Sequence, residues 1–388
     1  MSRLAWLLSC IGLSCSAPPP EVPERHSTLE PSAAEPSAAE PSAAEPPQAL
    51  PEQPATTPPS PPERFLKGQL HVHSSGSYDA EEPPEAILRF YAERGYDFVA
   101  ISDHNHVTKP SEVPDGMLWV PAVELTQNAA SCTPGPPPGY RCLFHTGGLF
   151  LADTAPRHVR LPYRPARFAA YQQQLEWTAA HGGLSVIYHP SFHFAADARL
   201  LTRLAREGGA RLFEVSNAAL DGQHPAGPAR AEQRSEALWD AVLGAGVTLY
   251  GVATDDAHHF SQAKARARSG RAVYGGDKGY VRVRAEPSLG SLRRALAAGD
   301  FYASTGVELS RLTVSAERVT FDIHGGTAPW STRFVGAGGR LLHEQQGASA
   351  SYEPRGDEGY VRAVVTDAKG LRAWIQPVFL AEAAAATP

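Results

Sequence analysis

The chain has 388 residues, 42% of them hydrophobic and 20% charged, which fits a soluble globular protein and excludes a bundle of membrane spans. Its formal charge of −6 is concentrated in residues 16–64, which hold eight Glu and two Arg; with Arg3 counted, everything from Phe65 onward sums to about −1. No basic tract argues for nucleic acid.

Residues 1–15 read as an export signal: Arg3 precedes the apolar run Leu4–Leu8, continued by Ile11-Gly12-Leu13, and small residues follow. Cys10 and Cys15 stand towards its end. That placement resembles a bacterial lipoprotein signal, whose cysteine is acylated; an ordinary cleaved signal is the other reading. The expectation is an exported protein, periplasmic or at the cell surface, touching the membrane through a lipid anchor only.

Residues 16–64 form a low-complexity tether that carries 15 of the 35 prolines and repeats Glu-Pro-Ser-Ala-Ala three times from Glu30 to Ala44. Such a segment has little to bury and is expected to stay extended, reaching on the order of 150 Å at ~3.1 Å per residue.

From Phe65 the pattern changes. Predicted strands are Gln69–His73, Phe98–Ser102, Trp119–Leu125, Leu143–Phe150, Leu184–His189, Leu212–Ser216 and Thr248–Thr254. Predicted helices are Pro84–Arg94, Arg167–Ala180, Ala196–Glu207, Arg230–Ala245 and Leu289–Ala298. Strand–helix alternation argues for parallel strands with crossover helices, in a barrel or a wound sheet. Strand-like runs follow at Arg311–Val314, Arg318–Ile323, Thr332–Val335, Tyr360–Thr366 and Ala373–Phe379, parted by Gly, Asp and Pro turns. They predict a small all-β, sandwich-like domain over 306–380, with a tail at 381–388.

Cys132 and Cys142 flank the turn-rich stretch Thr-Pro-Gly-Pro-Pro-Pro-Gly-Tyr-Arg. In an exported protein a disulfide is the favoured reading, contributing on the order of 2–3 kcal/mol. A free buried pair, or Cys142 as a metal ligand near His145, are the rivals.

Almost every predicted strand ends in a residue type that binds metals. The first brings His71 and His73, followed by Asp79; the second runs into Asp103-His104-Asn105. The third ends near Glu124, the fourth contains His145, the fifth ends at His189-Pro190, and the seventh at Asp255-Asp256-Ala257-His258-His259. Taken singly these are weak signals, since a lone His is more often a satisfied core or surface residue. In a parallel α/β barrel, however, the strand ends converge on one face, so residues far apart in sequence would share a pocket.

The series Leu70-His71-Val72-His73-Ser74, Asp79, Ile101-Ser102-Asp103-His104-Asn105, Val123-Glu124, His145, His189-Pro190 and Asp256-Ala257-His258 resembles the motifs of the PHP (polymerase and histidinol phosphatase) family. The run Leu296–Gly306 with a β-rich tail resembles the branch that includes carbaryl hydrolase. The resemblance implies a distorted (β/α)7 barrel over 65–305 with two or three divalent metals. His71, His73, Glu124 and Asp256 would hold one ion; Glu124 would bridge to a second on His145 and His189; Asp79, His104 and His258 would hold a third. Some members carry a histidine where this chain has Asp79. Glu124, Asp256 and His104 are the residues expected nearest the reaction.

Three divalent ions bring +6 against −3 from Asp79, Glu124 and Asp256, and a bridging hydroxide leaves about +2. Mixed His and carboxylate ligation suits Zn, Mn or Fe. The expected activity is hydrolysis of a small, anionic ester by a metal-bridging hydroxide, a phosphoester first. A carbamate or carboxylic ester on the same metals is the alternative, and a non-catalytic surface binding module is a third reading. His106, His193, His224 and His259 lie near the motifs, where pocket lining or a general-acid role is one reading and a supporting or surface position is the favoured one. Arg141 and Lys109 are candidate contacts to an anion, and Glu214 with Asn217 reads as a structural or pocket-wall pair. The sequence leaves the oligomeric state open.

Overall fold

The computed structural model describes residues 64–136, 138–193, 195–221 and 228–380. The export signal with Cys10 and Cys15, the tether up to residue 63, His224 and the tail at 381–388 lie outside the described residues.

The first part of the chain runs β1 (Phe65–Gln69), α1 (Pro84–Ala92), β2 (Phe98–Ile101), β3 (Leu118–Ala129), β4 (Cys142–Leu149), α2 (Arg167–Ala180), β5 (Leu184–Ile187), α3 (Ala198–Glu207), β6 (Leu212–Asn217), α4 (Ala218–Asp221), α5 (Pro228–Gly244) and β7 (Tyr250–Thr254). After α6 (Ala263–Arg268) come β8 (Tyr280–Arg284), α7 (Leu289–Ala298) and β9 (Phe301–Ser304). The remainder is β10 (Leu309–Val314), β11 (Val319–Ile323), β12 (Ser331–Gly336), β13 (Arg340–Gln346), β14 (Ser349–Tyr352), β15 (Tyr360–Thr366) and β16 (Arg372–Phe379).

Local chemistry accounts for several helix ends. Pro84 opens α1, where a missing N–H costs nothing, and Ile87, Leu88 and Tyr91 bury its inner face. The Asp197 side chain caps α3 by accepting from Leu200 N at 2.8 Å, and Leu200, Leu201 and Leu204 face inward. Ser288 caps α7, which stops at Gly299 with φ 78°, a conformation that glycine adopts without a Cβ penalty.

Among the described residues one sheet holds thirteen strands in the order β13-β12-β15-β16-β9-β8-β1-β2-β3-β4-β5-β6-β7, and β10-β11-β14 form a second. The β1–β7 part curls until its ends meet. Just beyond β1 and β7, Asp256 N donates to His71 O at 3.0 Å and His73 N to Ala257 O at 2.9 Å, with Val72 and Ala257 in a parallel bridge. Where β7 lies apart from β1, the Gln376 side chain brackets Gly251, accepting from its N at 2.9 Å and donating to its O at 2.8 Å. At Gly251 the edge of β7 turned away from β6 is thereby satisfied by a side chain.

The second sheet faces β12, β15 and β16 across a shared layer of Leu309, Leu312, Phe321, Phe334, Val361 and Ile375. This region is locked to α5 by buried charges. Asp240 accepts from Arg362 Nε and Nη2, both at 2.7 Å, and from Tyr360 Oη at 2.7 Å. Glu236 accepts from Arg372 at 3.0 Å and Trp374 Nε1 at 3.1 Å.

Three sequence expectations need correction. The first strand ends at Gln69, so His71 and His73 lie just beyond it, in the bridged segment that closes the curl. Not all strands are parallel: β4 runs antiparallel to β3 and β5, the twelve-residue link between β3 and β4 returning as a hairpin. The β2–β3 link carries no helix either. Strands β8, β9, β13 and β14 were not expected; β13 is largely exposed and shows no apolar alternation to read.

Candidate metal centre

All nine residues expected to bind metal converge at one mouth of the curled sheet. His71 and His73 follow β1, and alternation about Val72 keeps their rings on one side. His104 follows β2 and forms a parallel bridge with Glu124 on β3. His145 lies near the start of β4, and because that strand is reversed its beginning reaches the same mouth as the ends of the others. His189 follows β5, Asp256 and His258 follow β7, and Asp79 lies in the loop before α1.

Seven of these residues are close to fully buried, while Asp79 is partly exposed and His104 of intermediate exposure. Three groups of ligand atoms each gather within 4.8 Å: His71, His73 and Glu124; Glu124, His145 and His189; and His73, Asp79, His104 and His258. Asp256 adjoins the first, its Oδ1 standing 3.2 Å from Nε2 of both His71 and His73. Glu124 Oε1 lies 2.9 Å from His145 Nδ1, 3.3 Å from His189 Nε2 and 3.6 Å from His71 Nε2. His73 is shared between the first and third groups, a link the sequence reading lacked.

The distances suit cations. His71 Nε2 lies 3.1 Å from His73 Nε2, and His145 Nδ1 lies 3.2 Å from His189 Nε2. Two nitrogens on one tetrahedral ion stand about 3.3 Å apart at a metal–N bond of ~2.0–2.1 Å. Facing lone pairs repel at that spacing unless a proton or a metal lies between them. His189 Nδ1, on the ring's other side, is buried with no hydrogen-bond partner.

The outward nitrogens explain why the rings point inward. Glu214 Oε1 accepts from His71 Nδ1 at 2.7 Å. Ser77 Oγ donates to Asp103 Oδ1 at 2.8 Å, so its oxygen accepts from His73 Nδ1 at 2.9 Å. Asn128 Oδ1 accepts from His145 Nε2 at 2.6 Å, and the Asp256 carbonyl accepts from His258 Nδ1 at 2.9 Å. His104 differs: its Nδ1 faces Glu124 Oε2 at 2.6 Å, with Thr126 Oγ1 2.7 Å away, and its Nε2 faces Asp79 at 3.4 Å. Such partners set the tautomer and orient the lone pair of a metal-ligating histidine. Asp103 also accepts from Ser74 N at 2.6 Å and from Thr108 Oγ1, pinning the loop that carries Ser77.

Support continues outward. Tyr188 stacks on His71 with ring centroids 3.6 Å apart and donates to Leu70 O at 2.8 Å. A Cβ on Gly147 would come within 2.4 Å of Tyr188 Cζ and Oη, so only glycine leaves room for that ring. His189 and Asp256 adopt φ of 28° and 50°, backbone strain of the kind that collects at functional sites.

The electrostatics follow from six imidazoles packed around three carboxylates. Burial works against ionisation of Glu124 and Asp256, yet the surrounding histidines hold both carboxyls well below their usual range. Burial lowers His71, but Asp256, Glu214 and Glu124 outweigh it and raise it well above the ordinary imidazole value. His104 is pushed up to about 11, against burial, by Glu124 and Asp79. His73 is pushed down to about 3 by burial and the charges of His258 and His104. Without ions, protons shared among the rings balance the buried carboxylates; divalent cations fit the same need with the same donor atoms.

Sequence reasoning missed most of the holding residues. Glu214, read with Asn217 as a structural or pocket-wall pair, accepts from Asn217 Nδ2 at 2.8 Å, orients His71 and also accepts from His189 N at 2.6 Å and Thr254 Oγ1 at 2.5 Å. Its only sequence signal is an acid buried within a β-strand. Ser77, Thr126 and Asn128 carry none. Of the other histidines, His106 pairs with His158 at 3.1 Å, His259 accepts from Tyr274 N at 3.0 Å, and His193 meets Tyr140. Cys142 is in a disulfide with Cys132, which removes it as a ligand.

No protein-family model matches the chain, and no curated protein matches it. Solved structures similar to it include a two-domain protein from Bacteroides vulgatus, named as containing a predicted PHP-like metal-dependent phosphoesterase, at 16% identity over 82% of this chain and 88% of that one, TM-score 0.43. A metal-dependent phosphoesterase, so named, from Bifidobacterium adolescentis is 13% identical over 52% of this chain and 90% of that one, TM-score 0.35. A lesion-specific endonuclease from Pyrococcus furiosus is 12% identical over 60% and 56%, TM-score 0.34.

Proposed function

We propose that the chain is a metal-dependent phosphoesterase of the PHP type, a distorted (β/α)7 barrel followed by a sandwich-like β domain. One observation carries the reading: four of the six clustered imidazoles, those of His71, His73, His145 and His258, are hydrogen-bonded at the nitrogen turned away from the cluster, leaving the other nitrogen free to converge on the carboxylates of Glu124, Asp256 and Asp79. A histidine cluster kept only for packing has no need of that orientation.

Two or three divalent ions, Zn, Mn or Fe, would be held by His71, His73, Glu124 and Asp256; by Glu124, His145 and His189; and by Asp79, His104, His258 and the shared His73. Bound there, they would supply a water of lowered pKa and positive charge for the oxygens of a phosphoester. The chain's own residues do the rest. Glu124 and Asp256 stay ionised and hold the donor atoms together, while Glu214, Ser77 and Asn128 keep each imidazole in the tautomer that presents its lone pair. Tyr188 closes the rear of the site against water. Where the third position is empty, His104 keeps a proton beside Asp79, 3.4 Å away, and is the group placed to give it to a leaving oxygen.

The disulfide supports an oxidising compartment, consistent with export and a lipid anchor at Cys10 or Cys15. The test is hydrolysis by the full chain of p-nitrophenyl phosphate, bis-p-nitrophenyl phosphate and a naphthyl carbamate with Mn or Zn. Turnover of a phosphoester, lost in His71→Ala plus His73→Ala, is expected. Turnover of the carbamate alone would move the reading to the ester alternative, and unchanged turnover in the double variant would overturn the metal mechanism.

A further inference from the structure

The segment from Cys132 to Cys142 is built as a fixed arm beside the metal centre. The disulfide closes it with Cα atoms 6.1 Å apart. Thr133 donates to Pro165 O at 2.8 Å and accepts from Arg167 N at 3.2 Å, and Tyr163 Oη donates to Ser131 O at 2.8 Å. Immediately past the arm, His145 enters the cluster from the same strand.

The far end of the arm carries Tyr140 and Arg141. Tyr140 is 48% exposed and meets His193 edge-on at 5.8 Å and 80°, an arrangement that leaves ring face uncovered. His193 meets Phe192 at 4.4 Å, and Phe192 meets His189 at 6.1 Å, so three aromatic contacts, with two rings between, connect the arm to a candidate ligand. His193 adopts a φ of 48°, and its buried Nδ1 has no hydrogen-bond partner. Arg141 is exposed and has no carboxylate partner among the described residues, and it stands close enough to His193 to help burial lower that ring's proton affinity. An open aromatic face, an unpaired guanidinium and a buried nitrogen without a partner thus gather on one side of the mouth.

We propose, resting on the phosphoesterase reading, that this disulfide-closed arm selects the substrate: Tyr140 stacks on a flat aromatic group and Arg141 pairs with an anionic oxygen, so the preferred substrates are aryl phosphoesters. The arm contributes no metal ligand. Its effect falls on binding.

Binding of phenylphosphonate and methylphosphonate to the Mn-loaded full chain, followed by titration calorimetry, tests this without turnover. The wild type should bind the phenyl compound about five- to tenfold tighter, the size of one good aromatic contact. Tyr140→Ala should erase that preference and leave methylphosphonate unchanged, Tyr140→Phe should retain it, and Arg141→Met should weaken both ligands alike. Manganese content should stay equal in all variants. Equal affinities in the wild type, or a preference that survives Tyr140→Ala, would overturn the arm alone, even where hydrolysis proceeds. Absence of bound metal and of both phosphonates would bring down the phosphoesterase reading and the arm with it.

Discussion

Glu214 Oε1 lies 2.7 Å from Nδ1 of His71, and both residues are fully buried. The carboxylate sits on β6 and the imidazole beyond β1, 143 positions earlier. Their contact turns His71 Nε2 towards Asp256 and Glu124.

Glu214→Gln keeps the shape of the site while removing the charge that holds His71. Metal affinity is expected to fall about 10- to 100-fold, the usual cost of losing a partner behind a metal ligand. Titration of the metal-free protein with Zn or Mn measures it; unchanged affinity would remove Glu214 from the centre. Ser77→Ala, which frees His73 Nδ1, should shift affinity in the same direction.

Metal binding should strengthen as pH rises. In the metal-free protein His104 carries a proton with a pKa of about 11, raised against burial by Glu124 and Asp79, and a cation using that nitrogen must displace it. Lower pH favours the proton and higher pH favours the metal. Calorimetry in buffers of different ionisation heat should reveal protons released on binding, and an affinity flat between pH 6 and 9 would contradict this.

Arg362 and Asp240 form a buried two-point ion pair between β15 and α5. Asp240→Asn leaves the guanidinium with only the more distant Glu236, 3.7 Å away, and should destabilise the fold by about 3–5 kcal/mol, whereas replacing both Arg362 and Asp240 with apolar residues of similar volume should cost less. Urea unfolding of the single and double variants separates the two cases. Metal affinity should be untouched by either.

Glu308 should contribute to acid sensitivity. Burial raises its pKa, but the Arg282 guanidinium beside it and the Tyr280 hydroxyl, 3.0 Å away, bring it below the usual carboxylate value. A folded pKa below the unfolded one means the stabilisation is present above about pH 4.5 and is lost as pH falls through the folded value. Melting temperatures of the wild type and Glu308→Gln, compared from pH 7 to pH 3, should converge at the acid end.

Much of the clustered His and carboxylate set was legible because residue types able to bind metals are rare at strand ends and recur here at nearly every one. Pattern also placed α2 and α7 within their observed bounds, since each shows a helical period with clear stops. Strand β13 escaped because an exposed edge buries too little to leave a period.

Taken by itself, the sequence determined which groups are available to hold cations, the disulfide pair, and a mixed α/β region followed by a β-rich one. Those are properties of residue type and local period. Only the tertiary structure decided that β4 runs backwards so that His145 joins the mouth, that His73 is shared between two ligand groups, and that Glu214, Ser77 and Asn128 set the imidazoles. Most of these depend on contacts between segments distant in the chain, where the geometry of the closed sheet selects the partner; Ser77 stands only four residues from His73, and Asp103 holds it there.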